Sequence, residues 1–308
     1  MKAVNVGLLG VGYLGEFHLQ KLLRIEKANF VGFFDPDRER SRDIQGRYRV
    51  KGFGDPLSLL EKCDACIVAA PTSLHYSLAR EALLRGKHVL VEKPLCEKIS
   101  EAEELVDLSK RMDLILQVGH VERFNHAVRR LVSHAIPPFY LEARRESTPT
   151  QRALSVDVAM DLLIHDIDIL LWCQSLEPEV VDAIGLSKIG KDWDLVSCWV
   201  SFRDGSKAFL ISSRISTRKF RELRLFTEKG HFSVDCIQRS IEEFSLCGDP
   251  LRVDSEKCQF ADSDPLWEED THFLDSICEG RMPLVTGEDG LRALKVIDEI
   301  KKRLRESA

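Results

Sequence analysis

Short apolar runs alternate with amphipathic stretches through the first 119 residues of the chain. Ala3 to Leu9 and Phe30 to Phe34 have the unbroken apolar character of buried strands, and the stretch between them, ending near Lys27, spaces its apolar residues as a helix does. After Asp35 the pattern predicts a helical stretch to Gly46, a short one from Leu57 to Lys62, a strand from Ala65 to Ala70 and a helix from about Ser73 to Arg85. A strand from His88 to Val91, a helix from about Ser100 to Arg111 and a strand from Leu114 to Val118 follow. Such alternation predicts a parallel sheet wound on both faces by helices. Around Gly119 and His120 the pattern changes. One long helical signal, Val158 to Trp172, precedes a series of strands: Val180 to Ile189, Leu195 to Phe202, Ala208 to Ile215, Leu223 to Thr227 and Phe232 to Cys236. Short turns such as Asp204-Gly205 make these a largely antiparallel sheet, and Glu268 to Cys278 and Glu288 to Leu304 predict closing helices. The expected fold is α/β, with a doubly wound parallel domain over 1–119 and a second α/β domain with an open sheet over 120–308, whose last helix is free to pack back on the first.

The first turn sharpens this expectation. Gly10-Val11-Gly12-Tyr13-Leu14-Gly15 lies between strand and helix, and Asp35 ends the second strand about twenty residues later, which is the fingerprint of a Rossmann dinucleotide-binding unit. Gly10 allows the tight turn, Gly12 lets backbone approach a pyrophosphate, and Gly15 permits close helix-strand packing. The pyrophosphate would sit on the helix N-terminus, beside Tyr13 and Leu14, and Asp35 would bind the ribose hydroxyls of NAD. Asp35 disfavours the 2′-phosphate of NADP, although Arg38 stands close by.

Composition narrows the class. With 308 residues, 44% hydrophobic and 31% charged, the chain is an ordinary globular protein, and its net charge of -6 argues against general nucleic-acid or acidic-membrane binding. No leader pattern or apolar run of about 20 residues is present, so the cytoplasm is the expected compartment. Nine cysteines, an odd number, suit reduced thiols. Cys63 and Cys66 form a CxxC that reads as structural rather than as a metal or redox pair.

Chemistry is concentrated in a few places. Glu92-Lys93-Pro94 follows a strand C-terminus, where open α/β sheets place their ligand crevice, so Lys93 can donate to a substrate oxygen; the bland reading is a solvated lysine before a turn. Asp161, His165 and Asp168 form a polar stripe on an otherwise apolar helix, suited to proton abstraction by His165 with Asp161 orienting it. The alternative is a satisfied buried His-Asp pair. Pro71-Thr72-Ser73-Leu74-His75 follows another strand and either lines the nicotinamide pocket or, through Ser73, simply caps a helix. Arg214, Arg218, Lys219, Arg221 and Arg224, with a smaller group of Arg144, Arg145 and Arg152 and with Arg123 near the domain switch, suit an anionic substrate or a solvated strand face equally well.

Together these motifs resemble the glucose-fructose oxidoreductase, inositol dehydrogenase and MocA family over almost the whole length: the glycine-rich turn with His18, Asp35, Ala70 to His75, Gly86 to Pro94, and Asp161 to Asp168. The resemblance implies a Rossmann domain followed by an open-sheet α/β domain, commonly buried in a homodimer or homotetramer, with Lys93, Asp161 and His165 at the catalytic centre and Pro71, Thr72, His75 and Glu92 beside the cofactor. Gly119-His120-Val121-Glu122-Arg123-Phe124-Asn125, Met160 to Asp168 and Ser213 to Arg221 are similar to a bacterial branch that oxidises the 3-hydroxyl of UDP-N-acetylglucosamine, whose keto product passes to an aminotransferase in lipid A synthesis. That likeness implies a UDP-sugar held by His120, Arg123, Asn125, Asp168, Arg214 and Lys219. His126 stands where that pattern often has proline, and Val158-Ala159-Met160 replaces the glycine-rich lead-in of the wider family. The rival expectations are an inositol or free-monosaccharide dehydrogenase and a non-catalytic NAD-binding regulator. Strands Leu195 to Phe202 and Ala208 to Ile215, apolar on both faces, predict helices on one face and a second subunit on the other.

Overall fold

A computed structural model describes residues 3–134, 138–149, 156–174, 176–190, 192–228, 230–248 and 252–306. The chain divides into two compact units, one formed by Met1–Val121 and Leu266–Leu291, the other by Glu122–Pro265 and Arg292–Ala308.

In the first unit the apolar runs become strands β1 (Val4–Leu9), β2 (Ala28–Phe34), β3 (Ala65–Val68), β4 (His88–Glu92) and β5 (Leu116–Gly119). They form a five-stranded sheet of order β2-β1-β3-β4-β5, every neighbouring pair parallel. Helices α1 (Tyr13–Leu22), α2 (Arg38–Tyr48), the short α3 (Pro56–Leu60), α4 (His75–Leu84) and α5 (Ile99–Arg111) connect them. Because both faces of the sheet are covered, Val6, Leu8, Leu9 and all of β3 are excluded from solvent. Each valine, leucine or isoleucine among them contributes roughly 1.5–3 kcal/mol of burial. Cys63 and Cys66 lie in this core, where burial pushes the Cys63 thiol up to about 11 and that of Cys66 well above its ordinary value.

The second unit begins with α6 (His126–Ser133) and β6 (Tyr140–Glu146). A π-helical turn, Ala159–Leu163, leads without a break into α7 (Ile164–Cys173), so the single helix expected over this stretch forms with a π-helical first part. Strands β7 (Glu179–Leu186), β8 (Leu195–Ser201), β9 (Lys207–Ser213), β10 (Phe220–Thr227), β11 (Gly230–Asp235), β12 (Ser240–Cys247) and β13 (Arg252–Gln259) complete an eight-stranded sheet of order β13-β12-β11-β10-β6-β9-β8-β7. All its pairs are antiparallel except β6 with β9. Leu141, Ala143, Val196, Cys198, Leu210, Leu223 and Val234 bury one face of the sheet. The other face carries a row of rings in mutual contact, Phe209, Trp199, Tyr140, Phe226, His231 and Phe244.

α8 (Pro265–Glu279) belongs to the first unit, where Phe273 and Leu274 join the core cluster of β1, β3 and β4. The closing helix α9 (Gly287–Glu306) starts in the first unit and ends in the second. Among the described residues no helix is long and apolar enough to cross a membrane.

Candidate active site

The glycine-rich turn is built as its spacing demands. Gly10 has φ of +93°, and a β-carbon there would lie 2.8 Å from the Ala69 carbonyl oxygen. A β-carbon on Gly15 would lie 2.2 Å from the Gly10 carbonyl oxygen, so the helix approaches the strand as closely as backbone allows. At Gly12 the same construction meets nothing within 4 Å, leaving a cradle open over the start of α1. Gly12 is also the N-cap of that helix and supplies no side-chain hydrogen bond, so the positive end of the helix dipole faces the cradle uncapped by any side chain. Tyr13 is exposed, edge-on to the Phe17 ring at 5.0 Å, and Leu14 is half-buried.

Asp35 follows β2 directly. Its carboxylate accepts the Val11 N–H at 2.8 Å and the Asp37 N–H at 2.9 Å, which fixes it against the turn. Arg38 is exposed at the start of α2, while Arg40 donates through Nε to the Val11 carbonyl at 2.9 Å and pairs with Glu16. Arg47, Tyr48 and Arg40, against the cost of desolvation, hold the Glu16 carboxyl down at about 2. The open cradle, the helix end and the anchored acid fit a dinucleotide with its pyrophosphate over Gly12 and its ribose beside Asp35.

The other strand ends are tied together from beneath. Pro71 is exposed and Thr72 half-buried after β3, in a 3-10 turn from Thr72 to Leu74. α4 begins only at His75 with no side-chain cap, so Ser73 does not cap it as its chemistry suggested; the turn intervenes. His75 is buried with its ring nitrogens 2.8 Å from the Pro94 carbonyl and 2.9 Å from the Ala70 carbonyl, and burial lowers its pKa. It thus links the turn after β3 to the one after β4, rather than facing outward to a ligand. Lys93, half-buried, follows β4, and the Lys93-Pro94 peptide is cis.

Glu92 is buried as well. One carboxylate oxygen lies 2.9 Å from His18 Nε2, and the other accepts the Lys93 backbone N–H at 3.1 Å. His18 Nδ1 lies 2.8 Å from Asp270, on α8. Burial opposes a charged imidazole at His18, but the Asp270 and Glu92 carboxylates outweigh it and raise its pKa well above the ordinary range. Glu92 therefore ties the Lys93 backbone to His18. Sequence spacing marked His18 only as part of a family pattern; Asp270, 252 residues away, gave no signal at all.

In the second unit, Asp161 and His165 are half-buried within a segment whose other residues, Leu162 apart, are buried through Leu171. Asp168 is not part of that accessible stripe. Asp168 is buried against Arg123, which donates to it at 2.9 and 2.7 Å and lies over the Trp172 ring. Asp166 receives Arg145 at 2.7 Å, and the same guanidinium donates to Glu122 at 2.8 Å. Arg214, 1% exposed, donates to Asp194 at 2.7 Å and to the Val156 carbonyl. Asn125 caps α6 and donates to Glu122 and to the Cys236 carbonyl.

Arg123, Asn125, Asp168 and Arg214, expected to hold substrate, are thus committed to internal partners, because burial of such groups requires pairing. His120 is buried immediately after β5. Lys219 is exposed, in the segment where Arg218 stacks on the Phe220 ring at 4.3 Å; Arg221 and Arg224 are exposed too, and Arg152 lies outside the described residues. Lys93 belongs to the first unit, Asp161 and His165 to the second.

Residues 4–120 match the model of an oxidoreductase family with an NAD-binding Rossmann fold, and residues 126–233 match the GFO/IDH/MocA C-terminal domain. The chain is 32% identical over 297 residues to the UDP-N-acetylglucosamine 3-dehydrogenase of Acidithiobacillus ferrooxidans, covering 94% of each. A solved structure of a UDP-N-acetylglucosamine 3-dehydrogenase from that organism superposes with a TM-score of 0.93 at 31% identity over 99% of both chains. The myo-inositol 2-dehydrogenase of Thermotoga maritima is 26% identical over 328 residues, covering 98% of this chain and 97% of the relative.

Proposed function

The chain belongs to the GFO/IDH/MocA oxidoreductase family, and from that premise we propose that it oxidises the 3-hydroxyl of a UDP-sugar, UDP-N-acetylglucosamine, using NAD. The observation that carries this reading is the full-length likeness to a UDP-N-acetylglucosamine 3-dehydrogenase, in a chain that holds Lys93, Asp161 and His165 at its motif positions. His165 takes the proton of the sugar hydroxyl. Lys93 donates a hydrogen bond to the same oxygen and stabilises the alkoxide character that develops there. Asp161 orients His165 and balances its charge. The nicotinamide, when bound, accepts the hydride from C3. Asp35 selects NAD, since its anchored carboxylate would face the 2′-phosphate of NADP. The exposed Arg218, Lys219 and Arg221 are suited to the UDP diphosphate, and they replace the buried arginines in that role.

The keto product is a substrate for an aminotransferase, which would place the reaction in lipid A precursor synthesis. The nine cysteines, all free, suit the reducing cytoplasm. The partly exposed aromatic row of the second-unit sheet suits a homodimer or homotetramer.

The test is NADH formation by the purified protein with NAD and UDP-N-acetylglucosamine, in the presence of an aminotransferase and glutamate to remove the ketone. NADH together with an aminated UDP-sugar is the expected result. Silence on UDP-sugars with turnover of free inositols would replace this substrate with that of the inositol dehydrogenases.

A further inference from the structure

The group of side chains beneath Lys93 holds a definite number of protons. His18 has a carboxylate oxygen within hydrogen-bond distance of each ring nitrogen, Asp270 at 2.8 Å and Glu92 at 2.9 Å. Each contact requires a hydrogen, and an ionised carboxylate supplies none. A neutral imidazole brings only one. The three groups therefore carry one hydrogen more than a neutral histidine and two carboxylates would, and the arrangement that places it best is an imidazolium between two carboxylates, net charge -1. All three side chains are buried, so each contact is made in a medium where an unmade hydrogen bond is costly. Glu92 then uses its second oxygen on the Lys93 backbone N–H at 3.1 Å. A chain of three hydrogen bonds runs from α8 through α1 to the peptide that presents Lys93.

We propose that His18, held as a buried imidazolium by Asp270, is a positioning residue for the reaction: it locks Glu92, and Glu92 locks the backbone from which Lys93 reaches the substrate oxygen. The inference rests on the reading of Lys93 given above. The charged and titratable groups around the triad are Lys21 on α1, Lys93 after β4, His75 on α4 and Glu269 on α8. Ligand atoms of His18, Glu92 and Glu269 lie within 4.8 Å of one another, the donor set of a divalent-metal site. The contact of His18 Nε2 with Glu92 fills that position with a proton instead.

The chemistry of an amide separates positioning from charge. In Glu92→Gln, the amide oxygen can accept the Lys93 N–H while its NH2 donates to a neutral His18, so all three hydrogen bonds survive with one proton fewer. In Glu92→Ala they do not. The experiment combines nitrogen NMR of protein labelled with 15N-histidine, the His18 signals being identified by their loss in His18→Gln, with steady-state kinetics of Glu92→Ala, Glu92→Gln and Lys93→Ala. At about pH 8, where an ordinary histidine is neutral, both His18 nitrogens should resonate as an imidazolium, and Glu92→Gln should convert them to a neutral ring. Glu92→Ala should lose kcat on the order of 10²-fold with the KM for NAD little moved, and Glu92→Gln should recover most of that loss.

A neutral His18 at that pH overturns the proposal, as does a stoichiometric divalent metal in the purified protein. Wild-type kcat in Glu92→Ala while Lys93→Ala is inactive overturns it too, yet leaves the assigned reaction standing. Normal turnover by Lys93→Ala overturns the mechanism and the positioning role with it, and the NMR result still decides separately whether the proton is held.

Discussion

At the scale of single residues, buried ionisable groups divide into those that fix the fold and those that stay available. His18 has a folded-state pKa well above its unfolded value near ~6.5. Its contribution to stability is therefore complete below that pH and is lost as pH rises toward the folded value. Relative to His18→Gln, the wild type should show a stability advantage that is flat below about pH 6.5 and shrinks above it by up to about 1.4 kcal/mol per pH unit. Denaturant titrations of both proteins at several pH values measure the gap, and a gap independent of pH would mean the imidazole is not charged. His75, lowered by burial, acts in the opposite sense and below the same pH, but it is common to both proteins and cancels.

The same division explains which site residues could be read from the chain. Lys93, Asp161 and His165 sit in compact motifs. Arg123, Arg145 and Arg214 resemble anion ligands by type alone, and what decides their role is an acid elsewhere in the chain, Asp168, Asp166 or Asp194, that only the fold brings up.

At the scale of elements, the glycine-rich turn separates two reasons for the absence of a side chain. Gly15 is required by packing, since its β-carbon would overlap the Gly10 carbonyl, so Gly15→Ala should cost about 1–3 kcal/mol of stability. Gly12 faces open space, so Gly12→Ala should leave the melting temperature near wild type yet weaken NAD binding roughly tenfold or more, a loss of about 1.4 kcal/mol or above. Thermal melts and NAD titrations of the two variants check the contrast; unchanged NAD affinity in Gly12→Ala would place the pyrophosphate elsewhere. The elements themselves were legible where nearly every strand position is buried, as in β1, β3, β4 and β5 of the first unit. β6, β12 and β13 were not. In β6 the inward position after Leu141 and Ala143 is Arg145, a buried charge that breaks the alternation, and β13 is exposed along most of its length with no buried side to mark it. The π turn was invisible for a related reason: its residues are as helical in type as their neighbours.

At the scale of the whole molecule, one face of the second-unit sheet carries a row of rings that are half-buried or exposed. Trp199, 40% exposed, stacks at 6.2 Å on Tyr140, which continues through Phe226 and His231 to Phe244. Charges of both signs flank this row, with Arg224 3.7 Å from Glu142 and Arg144 bonded to Glu146. A face that is apolar along its middle and carries balanced charges beside it is self-complementary, and a two-fold axis through it would set ring against ring and acid against base. Sedimentation of the wild type should give a species larger than a monomer, and Trp199→Glu, which puts a charge in the middle of the row, should shift it toward the monomer. The substitution lies on the face opposite the one that packs on the helices of its own unit, so far-UV circular dichroism should stay unchanged. A monomeric wild type would remove a second copy of the chain as the cover for this face. Dissociation of Trp199→Glu with its NAD affinity retained would show that the assembly is built on the second unit alone, independently of the cofactor turn in the first.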